Sequence, residues 1–136
     1  MNYRKVLVVD DEKTDRALVR RQLRDYEVFE VETYETALGL LEDGDIGVVV
    51  SDTNSKSETN GFTFCAGIKI SKPDIIFLGM SGIDPGKEID YRELYEINGA
   101  DGFFIKGKLT EGIFLPEMIE KAIAEHSDEA AVPNPL

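Results

Sequence analysis

Short runs of consecutive apolar residues alternate along this chain with longer stretches in which apolar residues recur every three or four positions. Val6-Leu7-Val8-Val9 is apolar without interruption, the mark of a strand buried on both faces of a sheet. Residues from about 14 to 26 set Ala17, Leu18 and Leu23 among Arg and Asp, which predicts a surface helix. Glu27 to Val31 reads as a short second strand carrying Val28, Phe29 and Val31. Thr33 is a candidate N-cap for a helix with Ala37, Leu38 and Leu41 on its inner face, and Gly44 closes it. A third strand is predicted over residues 46–50, ending at Ser51-Asp52. A polar loop over residues 53–60 leads into a helical stretch containing Phe62, Cys65 and Ile68. Pro73 precedes a fourth strand over residues 75–80, followed by a loop bearing Gly and Pro and a helix over about 88–97. The fifth strand is predicted over residues 102–106. Pro116 suits the first turn of the last helix, where its missing N–H costs nothing, and Met118, Ile119, Ala122 and Ile123 supply the stripe. Five repeats of strand then helix predict an α/β fold with a five-stranded parallel sheet, doubly wound by right-handed crossovers.

A length of 136 residues suits one domain, expected over residues 1–126. Residues 127–136 lose the periodicity, end in Pro-Asn-Pro-Leu, and read as a flexible tail or the start of a linker. Fifteen basic against 27 acidic residues give a net charge of −12, which argues against direct nucleic-acid binding because that rests on Lys and Arg neutralising phosphates. No apolar run approaches bilayer length and no signal peptide opens the chain, so a cytoplasmic location is the expectation. The single cysteine, Cys65, excludes an internal disulfide and a cysteine cluster, and is expected as a small buried hydrophobe. The lone His126 sits in a polar stretch and reads as a solvated surface residue.

In an open parallel sheet the chemistry sits at the carboxyl ends of the strands. The first strand ends in Asp10-Asp11-Glu12, the third in Asp52, the fourth in Ser81 and the fifth in Lys106. Crowded carboxylates repel unless a charge compensates them. Magnesium meets that need with one or two carboxylates plus waters and phosphate oxygens, and Asp10 or Asp11 with Asp52 can supply the oxygens. Asp52 is then the candidate nucleophile for phosphoryl transfer, with Lys106 offering positive charge and Ser81 a hydroxyl for a phosphoryl oxygen.

These residues, in this order and at these strand ends, resemble the CheY-like receiver domains of two-component response regulators. The likeness extends over about residues 4–125 and includes Gly99-Ala100-Asp101-Gly102-Phe103, which is similar to the segment leading into the family's fifth strand. It implies a flavodoxin-like fold and a signalling domain rather than an enzyme. It implies Asp52 as acceptor of phosphate from a sensor histidine kinase or phosphotransfer protein. It also implies magnesium held by Asp10, Asp11, Asp52 and the backbone carbonyl of Asn54. Ser81 and Phe103 would be the switch pair, and the fourth helix with the fifth strand the face for a downstream protein partner; a homodimer is a separate expectation.

Three departures stand out. The family's Met-Pro pair after the acceptor is absent from Thr53-Asn54-Ser55-Lys56-Ser57-Glu58-Thr59-Asn60-Gly61, which runs one residue longer. The proline that follows the family's lysine, in a cis bond, is Gly107, for which a trans bond or a rearranged turn is expected. The stretch from Ser81 to Gly99 is longer, with a turn at Asp84-Pro85-Gly86. Tyr91 and Tyr95 lie four apart on the helix that follows, either as a partner surface or as partly buried amphipathic side chains. Two other functions fit parts of the pattern. A pseudo-receiver would keep the fold as an interaction module without phosphorylation. An aspartate-nucleophile phosphatase would need a second Asp where this chain has Asn54.

Overall fold

The computed structural model describes residues 1–55, 58–82 and 90–131. Its strands are β1 (Asn2–Val9), β2 (Glu27–Val31), β3 (Ile46–Asp52), β4 (Ile76–Ser81) and β5 (Gly102–Ile105), and its helices are α1 (Lys13–Gln22), α2 (Tyr34–Asp43), α3 (Gly61–Ser71), α4 (Tyr91–Ile97) and α5 (Leu115–Ala131). The strands pair in parallel in the order β2-β1-β3-β4-β5. This is the doubly wound, flavodoxin-like arrangement expected from the alternation. The order reverses between β1 and β3, so the crevice where ligands bind in such sheets opens beside the ends of those two strands.

Each central strand feeds two cores. Leu7, Val9, Val49 and Phe77 point to one side, where Tyr34, Ala37, Phe64, Cys65 and Tyr95 cover them. Val6, Val8, Val48, Val50 and Ile76 point to the other, beneath Val19, Leu23, Leu115 and Ile119. Alternate side chains go to opposite faces, which is why the strands read as unbroken apolar runs.

The helix starts follow from local chemistry. The Thr33 hydroxyl accepts from Thr36 N at 3.2 Å, Asn60 Oδ1 from Thr63 N at 3.0 Å, and Asp90 Oδ1 from Glu93 N at 3.1 Å, each satisfying an amide the helix leaves unpaired. At the end of α4, Gly99 takes φ +93°, a conformation that side chains resist, and lets Ala100 N return to Tyr95 O at 2.9 Å.

Several expectations shift. Leu38 is 49% exposed, because Tyr34, Ala37 and Leu41 take the inner face of α2. Ala17 is likewise exposed on α1, where Val19 is buried and Leu23 is buried just past the helix end. β5 stops at Ile105, and Lys106 opens a 3-10 turn over Lys106–Thr110. The predicted fourth helix is described as Tyr91–Ile97, and the Asp84-Pro85-Gly86 turn lies outside the described residues. Helix α5 continues to Ala131, so the stretch read as a tail opens as helix.

His126 is not simply solvated. It is half-buried, with Nε2 2.7 Å from Asp101 Oδ1, while Asp101 Oδ2 accepts from Phe77 N and Lys69 Nζ. Asp101 thereby ties α3, β4 and α5 together at the start of β5. Cys65 is fully buried, and that burial pushes its thiol up to about 12. Among the described residues no helix is long and apolar enough to cross a membrane.

Candidate functional site

The residue after β1 is Asp10, and its surroundings hold it from three sides. Its amide donates to Val31 O at 3.1 Å, its Oδ1 accepts from Glu12 N at 2.9 Å, and its carbonyl accepts from Arg16 Nη1 at 2.8 Å. Asp52 closes β3 and is buried, with Tyr34 Oη donating to its carbonyl at 2.8 Å. The same Tyr34 oxygen accepts from Ser55 N at 3.2 Å. One phenol from α2 therefore clamps the chain on both sides of Asn54, which is itself exposed. Ser81 ends β4 and is buried, in register beside Ile105 on β5.

Lys106 brings these ends together. Its Nζ lies 2.6 Å from Asp10 Oδ2, 2.9 Å from Asp15 Oδ2 and 3.1 Å from Asp52 Oδ1. One carboxylate oxygen from each of Asp10, Asp11 and Asp52 lies within 4.8 Å of the others. The sheet thus gathers Asp10, Asp11, Asp52 and Lys106 as their strand-end positions predict, with Ser81 on the neighbouring strand end.

Burial and charge compete here. Burial drives the Asp10 carboxyl up to about 6; the Lys106 ammonium and the Glu12 amide pull it down, and Asp52 pushes it up again. Burial alone would lower Lys106, but hydrogen bonds to Asp10 and Asp15, with the charges of Asp52 and Asp10, outweigh it and hold Lys106 above its ordinary value. The lysine therefore stays charged at neutral pH.

The donor set suits a hard divalent cation. Every candidate ligand atom is oxygen, as magnesium prefers. Asp10 Oδ2 is buried, with the Lys106 ammonium 2.6 Å away as its counter-charge. One oxygen from each of Asp10, Asp11 and Asp52 is near enough to the others for a single cation to be shared among them.

Three contributors were not legible as site residues. Asp15, in the first turn of α1, reads as ordinary helix-dipole chemistry, since acidic residues favour that position. Tyr34 follows a capping threonine and reads as core. Tyr95 is the third, and it corrects one reading of the tyrosine pair. Tyr95 is fully buried and Tyr91 half-buried, both facing the aromatic cluster around Phe62 and Phe103 rather than presenting a partner surface. Phe103 is buried in that cluster, its ring 5.5 Å from Tyr95, with Arg92 5.6 Å over its face. At Gly107 the departure from the family has a visible shape: Lys106 enters a 3-10 turn, and no peptide bond among the described residues is cis.

A family model of the response regulator receiver domain matches residues 6–112. Solved structures show the same fold. The chemotaxis response regulator CheY4 of Vibrio cholerae is 24% identical, superposes with a TM-score of 0.67, and the match covers 91% of this chain and 98% of that one. A response regulator receiver domain protein from Clostridium thermocellum is 22% identical with a TM-score of 0.73, covering 92% and 98%. The response regulator TrrA from Thermotoga maritima, solved in complex with Mg2+ and BeF, is 25% identical with a TM-score of 0.72, covering 87% and 97%. No curated protein matches the chain.

Proposed function

The chain belongs to the response regulator receiver domain family, and from that membership we propose that Asp52 accepts a phosphoryl group from a sensor histidine kinase or phosphotransfer protein. Receiver domains of two-component systems are phosphoryl-accepting signalling domains rather than enzymes. The observation that carries the assignment is the place of the Asp52 carboxylate, 3.1 Å from Lys106 Nζ and in one cluster with Asp10 and Asp11.

Asp10, Asp11, Asp52 and the backbone carbonyl of Asn54 are the residues that would hold magnesium. When bound, the ion offsets the crowded carboxylates and the charge on the transferring oxygens. Asp52 attacks phosphorus in line, and its P–O bond forms as the bond to the donor's imidazole nitrogen breaks. Lys106 remains protonated and turns one N–H to a phosphoryl oxygen. The Ser81 hydroxyl donates to another and draws the end of β4 towards Asp52. Phe103 then changes rotamer, and the face made by α4 and β5 is remodelled for a downstream protein. A few kcal/mol of differential contact is enough for such a shift. Loss of the phosphoryl group to water resets the domain, which works in the cytoplasm without contacting nucleic acid itself.

The test is intact mass after incubation with a small-molecule phosphodonor, with and without magnesium. Wild type is expected to gain one magnesium-dependent phosphoryl group, and Asp52→Asn none. An equal adduct in Asp52→Asn would remove the assignment. No adduct together with no magnesium binding would move the protein to the class of interaction modules that keep only the fold.

A further inference from the structure

Tyr95 occupies space that the rest of the fold leaves clear for it. A Cβ on Gly79 would lie 2.5 Å from the Tyr95 ring, and one on Gly61 would run into the Tyr95 hydroxyl. The ring packs on Phe62 at 4.7 Å and stacks on Phe103 at 5.5 Å. This buried phenol lies 2.9 Å from Thr53 Oγ1, and Thr53 is the residue after Asp52. Thr53 Oγ1 also lies 2.9 Å from Met80 O, the carbonyl just before Ser81.

Proton counting sets the direction of this bridge. A carbonyl only accepts, so the single Thr53 proton goes to Met80 O. The Tyr95 hydroxyl must then donate to Thr53 Oγ1. The chain of donors runs from α4, through the residue beside Asp52, to the strand end that carries Ser81. Gly61 N donates to Thr53 O at 2.8 Å, so the start of α3 hangs on the same residue.

We infer that Tyr95 is a positioning residue for the phosphoryl-acceptor edge, its hydroxyl bridging through Thr53 to hold the ends of β3 and β4 and linking their position to α4. The inference rests on the reading of Asp52 as acceptor for its functional meaning, while the bridge exists without it. A displacement of Thr53 reaches α4 through one hydrogen bond and a displacement of Met80 through two, beside any path through Phe103. α4 is then read from below as well as from its flank.

The experiment is native-state hydrogen exchange on wild type, Tyr95→Phe and Thr53→Val. Tyr95→Phe keeps the ring and removes one oxygen; Thr53→Val keeps the shape and removes the hydroxyl. Each change is expected to speed exchange at amides beside or bonded to the other partner, by roughly five- to tenfold, the worth of one buried hydrogen bond. Tyr95→Phe should therefore speed the Gly61 amide, and Thr53→Val the amides of Leu94 and Asn98. α1 and α5, on the opposite face of the sheet, should not change. The two substitutions should also couple. Thr53→Val strands the Tyr95 proton in the core, so the double variant should unfold at a higher urea concentration than Thr53→Val alone. Exchange changes confined to the mutated element, changes spread equally over both faces, or an additive pair would each overturn the bridge. None of these measurements uses a phosphodonor. A wild type that takes up no phosphoryl group would count against the acceptor reading alone, and the exchange data would still decide on Tyr95.

Discussion

Lys106 has three N–H donors and three carboxylates around it, at 2.6, 2.9 and 3.1 Å. If Asp52 takes a phosphoryl group as proposed, an arriving phosphoryl oxygen needs one of those donors, so one contact must be given up. Asp15 is the cheapest to lose, because its side chain is 33% exposed and water can replace the lysine. Asp15→Asn removes both that competitor and a negative charge near an anionic donor. The initial rate of adduct formation is therefore expected to rise by roughly three- to fivefold, about 1 kcal/mol of barrier. A fall in rate, measured by intact mass over time, would mean that Asp15 aims the lysine instead. At this scale the meeting of Asp10, Asp11, Asp52 and Lys106 was legible because strand ends in a parallel sheet converge. Asp15 was not, since its part depends on how α1 docks against the 3-10 turn that opens at Lys106.

Strand β4 and helix α4 approach closely because Gly79 has no side chain. An added Cβ would meet the rigid Tyr95 ring, which is held by Phe62, Phe77 and Phe103 and cannot swing aside. Gly79→Ala is expected to cost about 1–3 kcal/mol, the usual range for overpacking a filled core. Gly102→Ala is the contrast, since its Cβ would meet the flexible ends of Leu78 and Met118 at 3.0 and 3.3 Å. Its cost should stay below about 1 kcal/mol, and urea midpoints of the two variants compare them directly. Equal losses would show that the Tyr95 ring yields. Element positions were readable from apolar runs and capping residues such as Thr33. Helix facing was less so: on α2 the choice between Leu38 and its neighbours depends on docking, which turned Tyr34 and Leu41 inward and left Leu38 outside.

At the scale of the whole molecule, Asp10 is expected to link stability to pH and, with magnesium bound as proposed, to the metal. Its carboxyl titrates at about 6 in the fold against an ordinary 3.8. Between those values the folded state holds a proton that the unfolded chain has lost, so Asp10 makes stability fall as pH rises through the window. The full penalty, reached above about pH 6, is roughly 2–3 kcal/mol. Urea midpoints from pH 4 to 7 without metal should show this decline in wild type and lack it in Asp10→Asn. Magnesium should restore the loss above pH 6 in wild type only, because a bound cation takes the place of the proton. Parallel pH curves for the two proteins would refute the linkage. The sequence alone determined the layered α/β plan and the acidic edge, because two-faced burial writes itself as unbroken apolar runs and parallel strands must end together. The bridge from Tyr95 to Thr53, the Tyr34 clamp and the third carboxylate on Lys106 were decided only by tertiary structure. Each joins residues far apart in the chain whose meeting depends on the angle and depth at which a helix packs, and local pattern does not encode that angle.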